Sequence, residues 1–89
     1  MKEYGLECQC DSAQSFGGKA IVIRDDTKLY LRSYETLVAM WDMETETLYR
    51  KEGQPQSNTT ARHMREFALQ RGLPYMTKSQ LKELPTAQL

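Results

Sequence analysis

The chain has 89 residues, 39% of them hydrophobic, and its 12 basic and 12 acidic side chains give a formal net charge of zero. A chain of this length folds as one domain with one small core and has little room for a deep substrate cavity. The balanced charge excludes a global electrostatic attraction to nucleic acid or to an anionic membrane.

The first residues show no export or membrane signal. No apolar run follows Lys2, and nowhere do about eighteen apolar residues follow one another. We therefore expect a protein that stays in the cytoplasm where it is made, with no membrane partner. In that compartment Cys8 and Cys10 are expected to be reduced thiols, because cytosolic disulfides are uncommon.

Three strands are predicted in the first half of the chain. Residues 1–18 show no period and are interpreted as an irregular or edge-strand arm. Residues 19–24 form a short β-branched run that stops at two turn-favouring aspartates. Residues 29–32 and 34–41 follow, and the second of these is apolar at both odd and even positions, which is typical of a central strand covered on both faces.

A fourth strand and then helices are predicted in the second half. Residues 45–50 alternate as a half-exposed strand does, and the short connections permit only antiparallel neighbours. A helix is predicted from Ala61 to Arg71, after N-cap candidates at 57–60 and before Gly72. Its apolar stripe is formed by Ala61, Met64, Phe67 and Ala68. The polar remainder, expected to face solvent, is Arg62, His63, Arg65, Glu66 and Arg71.

A second short helix is predicted from Lys78 to Leu84, because Thr77 and Gln80 have the spacing of a capping box and Pro85 stops the helix. The tail beyond it is expected to fray. The fold class is therefore α+β, in one domain spanning 1–89. An antiparallel β-meander of about four strands occupies 19–52, and the helices, the first packed on the sheet, occupy 57–84.

The two thiols and the only histidine could be metal ligands or catalytic groups, but their sequence pattern favours neither role. Cys8-Gln9-Cys10 lacks the spacing and the four ligands of a structural zinc site, unless two copies each contribute a pair. His63 with a cysteine lacks a third orienting group and an oxyanion loop. Gly17-Gly18-Lys19 precedes a strand, whereas phosphate loops follow one. We predict no metal, no cofactor and no enzymatic activity, and we interpret His63 as a helix-surface or helix–sheet edge residue.

Charge is divided unevenly along the chain. Residues 1–44 carry 5 basic and 8 acidic side chains, and residues 45–89 carry 7 basic and 4 acidic. The predicted helices present Arg62, Arg65 and Arg71, with two lysines beyond. Such a face suits an acidic protein surface or phosphate, or it is an ordinary solvated face.

Residues 31–39 and 58–67 resemble, in that order, a family of short phage and mobile-element proteins of unknown function. The shared pattern is a Ser-Tyr-x-Thr-x-Val-Ala strand and a Thr-Thr-x-x-His-x-x-x-Phe helix within residues 19–72. The matching positions are Ser33, Tyr34, Thr36, Thr59, Thr60 and His63. The resemblance implies a β-meander with a packed helix and a phage or prophage origin, and no activity. If Tyr34 and Thr36 share a strand face, His63 can hydrogen-bond across to them at a helix–sheet junction.

The expectation from the sequence is a small phage protein that binds another protein, from the phage or its host. An inhibitor of a host defence nuclease, such as an anti-CRISPR protein, is one concrete form of it. The alternative is a nucleic-acid-binding accessory or regulatory protein that uses the basic C-terminal helices. The candidate binding residues are Arg62, Arg65, Arg71, His63 and Tyr34, and homodimerisation is compatible with the sequence.

Overall fold

The computed structural model describes residues 2–6, 18–53 and 57–89. Cys8, Cys10 and Gly17 lie outside these ranges, so the interpretations made for them stay predictions. The described elements are, in chain order, β1 (Lys2–Gly5), β2 (Ala20–Asp25), β3 (Lys28–Ser33), β4 (Thr36–Asp42), β5 (Thr47–Lys51), α1 (Asn58–Gln70), α2 (Lys78–Lys82) and β6 (Thr86–Ala87).

The α+β class is confirmed, but the number of strands was wrong: six strands, not four, form one sheet in the order β1 to β6. Neighbours from β1 to β5 are antiparallel, as their short connections require. The last pair is parallel, since β6 returns to the edge after both helices.

The two additional strands lie at the edges of the sheet. β1 pairs with β2, and the chain continues the pairing when the backbone N–H of Leu6 donates to the carbonyl oxygen of Ala20. β6 lies in the tail that was expected to fray. It is held because Arg50 and Glu52 donate backbone hydrogen bonds to Pro85 and Ala87.

The central strand β4 is buried from Val38 to Trp41. A β-bulge explains why adjacent residues share one core: Ala39 pairs with Leu31, but Leu37 pairs with Arg32, so Val38 is an extra residue. Val38, Ala39 and Trp41 join the main core, whereas Met40 is buried outside that cluster.

The main core lies between the helices and one face of the sheet. Its largest members from α1 and α2 are Met64, Phe67 and Leu81, all fully buried. From the sheet it takes Val22, Leu31 and other residues of the same face. Both described helices contribute to this one cluster, so they lie on the same side of the sheet.

The opposite side, which we call the outer face, is apolar in its centre. The register aligns Ile23, Tyr30, Met40 and Tyr49 in one row across β2 to β5, because directly paired residues point to the same side. Ile21 and Leu37 belong to the next row. Met40 is buried and the other five are half-buried.

Helix α1 begins and ends with complete caps. The Ser57 hydroxyl accepts a hydrogen bond of 3.1 Å from the Thr60 backbone N–H. At the other end, Gly72 has a φ of +86°, and the N–H groups of Gly72 and Leu73 donate to Leu69 and Ala68. This is a Schellman motif, whose left-handed residue is normally glycine. The predicted capping box of Thr77 and Gln80 is confirmed at α2, which ends at Lys82, two residues before the predicted end.

Candidate functional site

The turn between β3 and β4 places a tyrosine in a costly backbone conformation. Ser33 pairs with Thr36, so Tyr34 and Glu35 form a two-residue hairpin loop. Two-residue loops favour turns with positive φ, a requirement that glycine, asparagine or aspartate usually meets. Here Tyr34 has a φ of +58°. A bulky side chain in the left-handed region costs about 1–2 kcal/mol.

This turn also corrects the expected strand boundary. The strand was predicted to begin at Tyr34, with Tyr34 and Thr36 on one strand face. It begins instead at Thr36, because the chain reverses through Tyr34. The two side chains therefore do not share a strand face, and the tyrosine ring extends from the end of the sheet.

The Tyr34 ring is exposed but held between two neighbours. Its relative exposure is 52%. The Lys19 ammonium lies 5.6 Å from the ring centroid, within the range of a cation–π contact. The centroid of the His63 ring lies 6.2 Å away, with the rings tilted by 40°. The Tyr34 backbone N–H donates to the Lys19 carbonyl oxygen at 2.7 Å, which joins the turn to the start of β2.

His63 lies in the interior, and the prediction that it faces solvent was wrong. Its relative exposure is 2%, and Nδ1 lies 2.8 Å from the hydroxyl oxygen of Ser33, which is 4% exposed. This bond joins the first turns of α1 to the end of β3. The expected helix–sheet junction therefore exists, and Ser33 is a partner of His63 in it.

The Ser33–His63 pair resembles the nucleophile and base of a hydrolase in composition only. Such a nucleophile must reach a substrate, whereas both side chains here are buried beneath the Tyr34 turn. The geometry assigns the pair a structural role: it fixes the histidine ring that supports Tyr34.

Glu66 is a second residue whose predicted exposure was wrong. It lies on α1 with a relative exposure of 1%, and Gln70, one turn further on, donates a hydrogen bond of 2.7 Å to Oε2. A hydrogen bond to a buried carboxyl group offsets the cost of removing that group from water. Glu66 is thus part of the helix–sheet packing.

Arg65 and Arg71 contact residues of the C-terminal half of the chain. Arg65 donates from Nε to the Met76 carbonyl oxygen at 2.7 Å, and its guanidinium carbon lies 4.8 Å from the centroid of the Tyr75 ring. Arg71 lies 5.5 Å from the Phe67 ring centroid. Arg62 is exposed. Of the five candidate residues, the structure brings together Tyr34 and His63.

Lys19 is the site residue that sequence reasoning missed. It precedes β2 and is 15 residues from Tyr34, and it was considered only as part of a glycine-rich loop and as the start of the predicted strand 19–24. The antiparallel pairing of β2 with the β3 hairpin brings the start of the one strand to the end of the other. This pairing was predictable from the sequence, and it could have indicated that Lys19 lies near Tyr34.

The profile of one family, a family of unknown function (DUF8033), matches residues 4–83. This range includes the whole stretch 19–72 over which the resemblance to short phage proteins extends. No curated protein and no solved structure is significantly similar to the chain. Among the described residues, neither helix has the length and apolar character to cross a membrane.

Proposed function

Because this chain belongs to the DUF8033 family, whose function is unknown, its role has to be inferred from its own surface, and we propose that it acts by binding another protein. One observation carries the proposal: an exposed tyrosine occupies a backbone conformation that glycine would adopt without strain. Strained residues that persist in a fold cluster at functional sites.

The surroundings of Tyr34 suit a protein-binding anchor. Tyrosine is enriched among the few interface residues that supply most of the binding energy. A ring already held between Lys19 and His63 loses little freedom when a partner covers it, and such preorganisation improves affinity. The buried Ser33–His63 bond fixes one side of this arrangement.

A protein partner fits the charges better than nucleic acid does. Arg65 contacts Met76 and Tyr75, and Arg71 contacts Phe67, so these two candidate arginines already have intramolecular partners. Nucleic-acid affinity depends on side chains that neutralise several phosphates at once. The chain is neutral overall, and Tyr34 is followed by the exposed Glu35.

The resemblance to short phage and mobile-element proteins supports a more specific setting for this proposal. In that setting the chain is made in the cytoplasm of the infected cell, and its partner is a host or phage protein. Inhibition of a host defence nuclease, as by an anti-CRISPR protein, is the form of binding that suits a chain of this size. This setting rests on the resemblance and on size.

The proposal is tested by capture from a lysate of the native host cell with three tagged chains: wild type, Tyr34→Gly and Asp26→Gly. Asp26 also has positive φ, at +56°, in the turn at the other end of β3, so it is the matched control for the backbone change. We expect a protein that is retained after nuclease treatment by the wild type and by Asp26→Gly and lost from Tyr34→Gly.

Binding to nucleic acid is the competing outcome, and charge reversal identifies it. Arg62 and Lys82 are both exposed, and reversing them avoids the structural contacts of Arg65. If the purified chain binds generic DNA or RNA with a steep salt dependence, and Arg62→Glu with Lys82→Glu removes that binding, the alternative nucleic-acid function replaces the proposed one.

A further inference from the structure

We propose that the outer face of the sheet binds a second copy of this chain, in a symmetric dimer whose twofold axis runs parallel to the strands between β3 and β4. This inference does not rest on the proposed function. It rests on the centre of the outer face, where apolar and charged side chains are arranged in a self-complementary way.

The apolar part of the argument is the row across the middle of the face. Two sheets that pack face to face keep their strands within about 30° of each other and lie about 10 Å apart. An axis between β3 and β4, the middle pair of the six strands, places β3 of one copy over β4 of the other. Tyr30 then lies over Met40 of the second copy, and Ile23 lies over its Tyr49.

The charged part of the argument is the next row towards the β2–β3 turn. Lys28 and Asp42 are cross-strand partners on the same face. The same axis places Lys28 of one copy over Asp42 of the other, and the converse contact follows by symmetry. Four charges then alternate in sign around the axis. An isologous interface requires this kind of self-complementarity, because each side presents the same surface.

The net charge of the chain is compatible with self-association. The formal net charge of the chain is zero, so two copies do not repel each other globally. The flanks of the face carry both signs as well, with Glu3 and Arg32 in a salt bridge of 3.5 Å. A partner with a strongly acidic or basic surface would not be complementary to the mixed charges of the outer face.

One geometric consequence connects the dimer to the Tyr34 turn. An axis parallel to the strands keeps corresponding ends of the two sheets together. The β3–β4 turns of both copies therefore lie side by side at one end of the dimer. Two Tyr34 rings on one surface would allow bivalent binding.

Complementary charge variants test the dimer. Lys28→Glu leaves only acidic groups at the two positions, and Asp42→Lys leaves only basic ones. We expect each variant alone to be monomeric by analytical ultracentrifugation at roughly 100 µM, where the wild type, with a micromolar Kd, is dimeric. An equimolar mixture of the two variants should restore a dimer, because each contact then joins opposite charges.

Controls separate this result from a loss of folding. Circular dichroism and thermal melting of each variant establish that it folds. Arg24 is an exposed charge on the helix side of the sheet, so Arg24→Glu should leave the dimer intact. Tyr34→Gly should also remain dimeric. A monomeric wild type, a dimer that survives both single variants, or a mixture of folded variants that stays monomeric would each overturn the proposal.

Discussion

At the scale of single residues, the most informative feature is the conflict between Tyr34 and its backbone. The sequence places no glycine, asparagine or aspartate at the first position of this hairpin loop, yet the loop needs positive φ. The short β3–β4 connection and the Tyr34–Lys19 backbone hydrogen bond hold the conformation. The favourable interactions elsewhere in the fold therefore hold the Tyr34 backbone in a strained conformation while its ring remains exposed.

The first prediction separates the Tyr34 backbone from its side chain. Tyr34→Ala and Tyr34→Gly both remove the ring, but only glycine also relieves the strain. The strain of about 1–2 kcal/mol exceeds the extra backbone entropy that glycine loses on folding, about 0.5–1 kcal/mol. We expect Tyr34→Gly to be more stable than Tyr34→Ala by about 1 kcal/mol in urea unfolding. A Tyr34→Gly chain that is less stable than Tyr34→Ala by about 0.5–1 kcal/mol would show that the turn is unstrained.

The second prediction concerns the buried Ser33–His63 bond. Ser33→Ala should lower the free energy of unfolding by about 1–3 kcal/mol, since it removes a buried hydrogen-bond partner of the His63 ring. In a His63→Phe background the same substitution should cost much less, because phenylalanine makes no such bond. Urea unfolding of the four chains measures this coupling. An identical cost in both backgrounds would contradict the assigned hydrogen bond.

At the scale of elements, helix α1 completes the core of the sheet. Phe67 is fully buried at its centre. The third prediction is that Phe67→Ala costs about 3–5 kcal/mol, from lost burial and the cavity left behind. Since small domains are stable by only about 5–15 kcal/mol, the melting temperature should fall sharply. An unchanged melting temperature would rule out the packing of α1 on the sheet.

The connection between the helices depends on Arg65 and not on a hydrophobic contact alone. The fourth prediction is that Arg65→Lys, which keeps the charge, increases hydrogen exchange at the Leu81 amide, because the Nε bond to Met76 and the stacking on Tyr75 are lost. Arg24→Lys, at an exposed position on β2, is the matched control and should leave that exchange rate unchanged. Equal protection in the two variants would mean that Arg65 does not hold this segment.

At the scale of the whole molecule, the sequence was sufficient for the α+β class and for the central antiparallel hairpins, because β2 to β5 have apolar alternation and turn residues between them. The edge-strand alternative for residues 1–18 covers β1, whereas β6 was not predicted. These have four and two residues, too short for a period, and the pairing of β6 with β5 joins positions that are far apart in the chain.

The candidate site was likewise predicted only in part. Tyr34 and His63 were identified as a possible junction, but the burial of His63 and Glu66 was not predictable from helical spacing. Polar residues that flank an apolar stripe are normally solvated, and hydrogen bonds to Ser33 and Gln70, whose positions helical spacing does not give, favour their burial. The positive φ of Tyr34 was also hidden, because no residue in the turn signals it.

The central claim, that Tyr34 anchors a protein partner, is tested most directly by photo-crosslinking in the cells that naturally make the chain. A photoreactive phenylalanine analogue is placed at position 34 and, in a control chain, at Tyr75, which is also exposed, at 63%. The account predicts that position 34 crosslinks to one protein and that Tyr75 does not. Crosslinks from position 34 to nucleic acid alone, or a partner captured only from Tyr75, would contradict it.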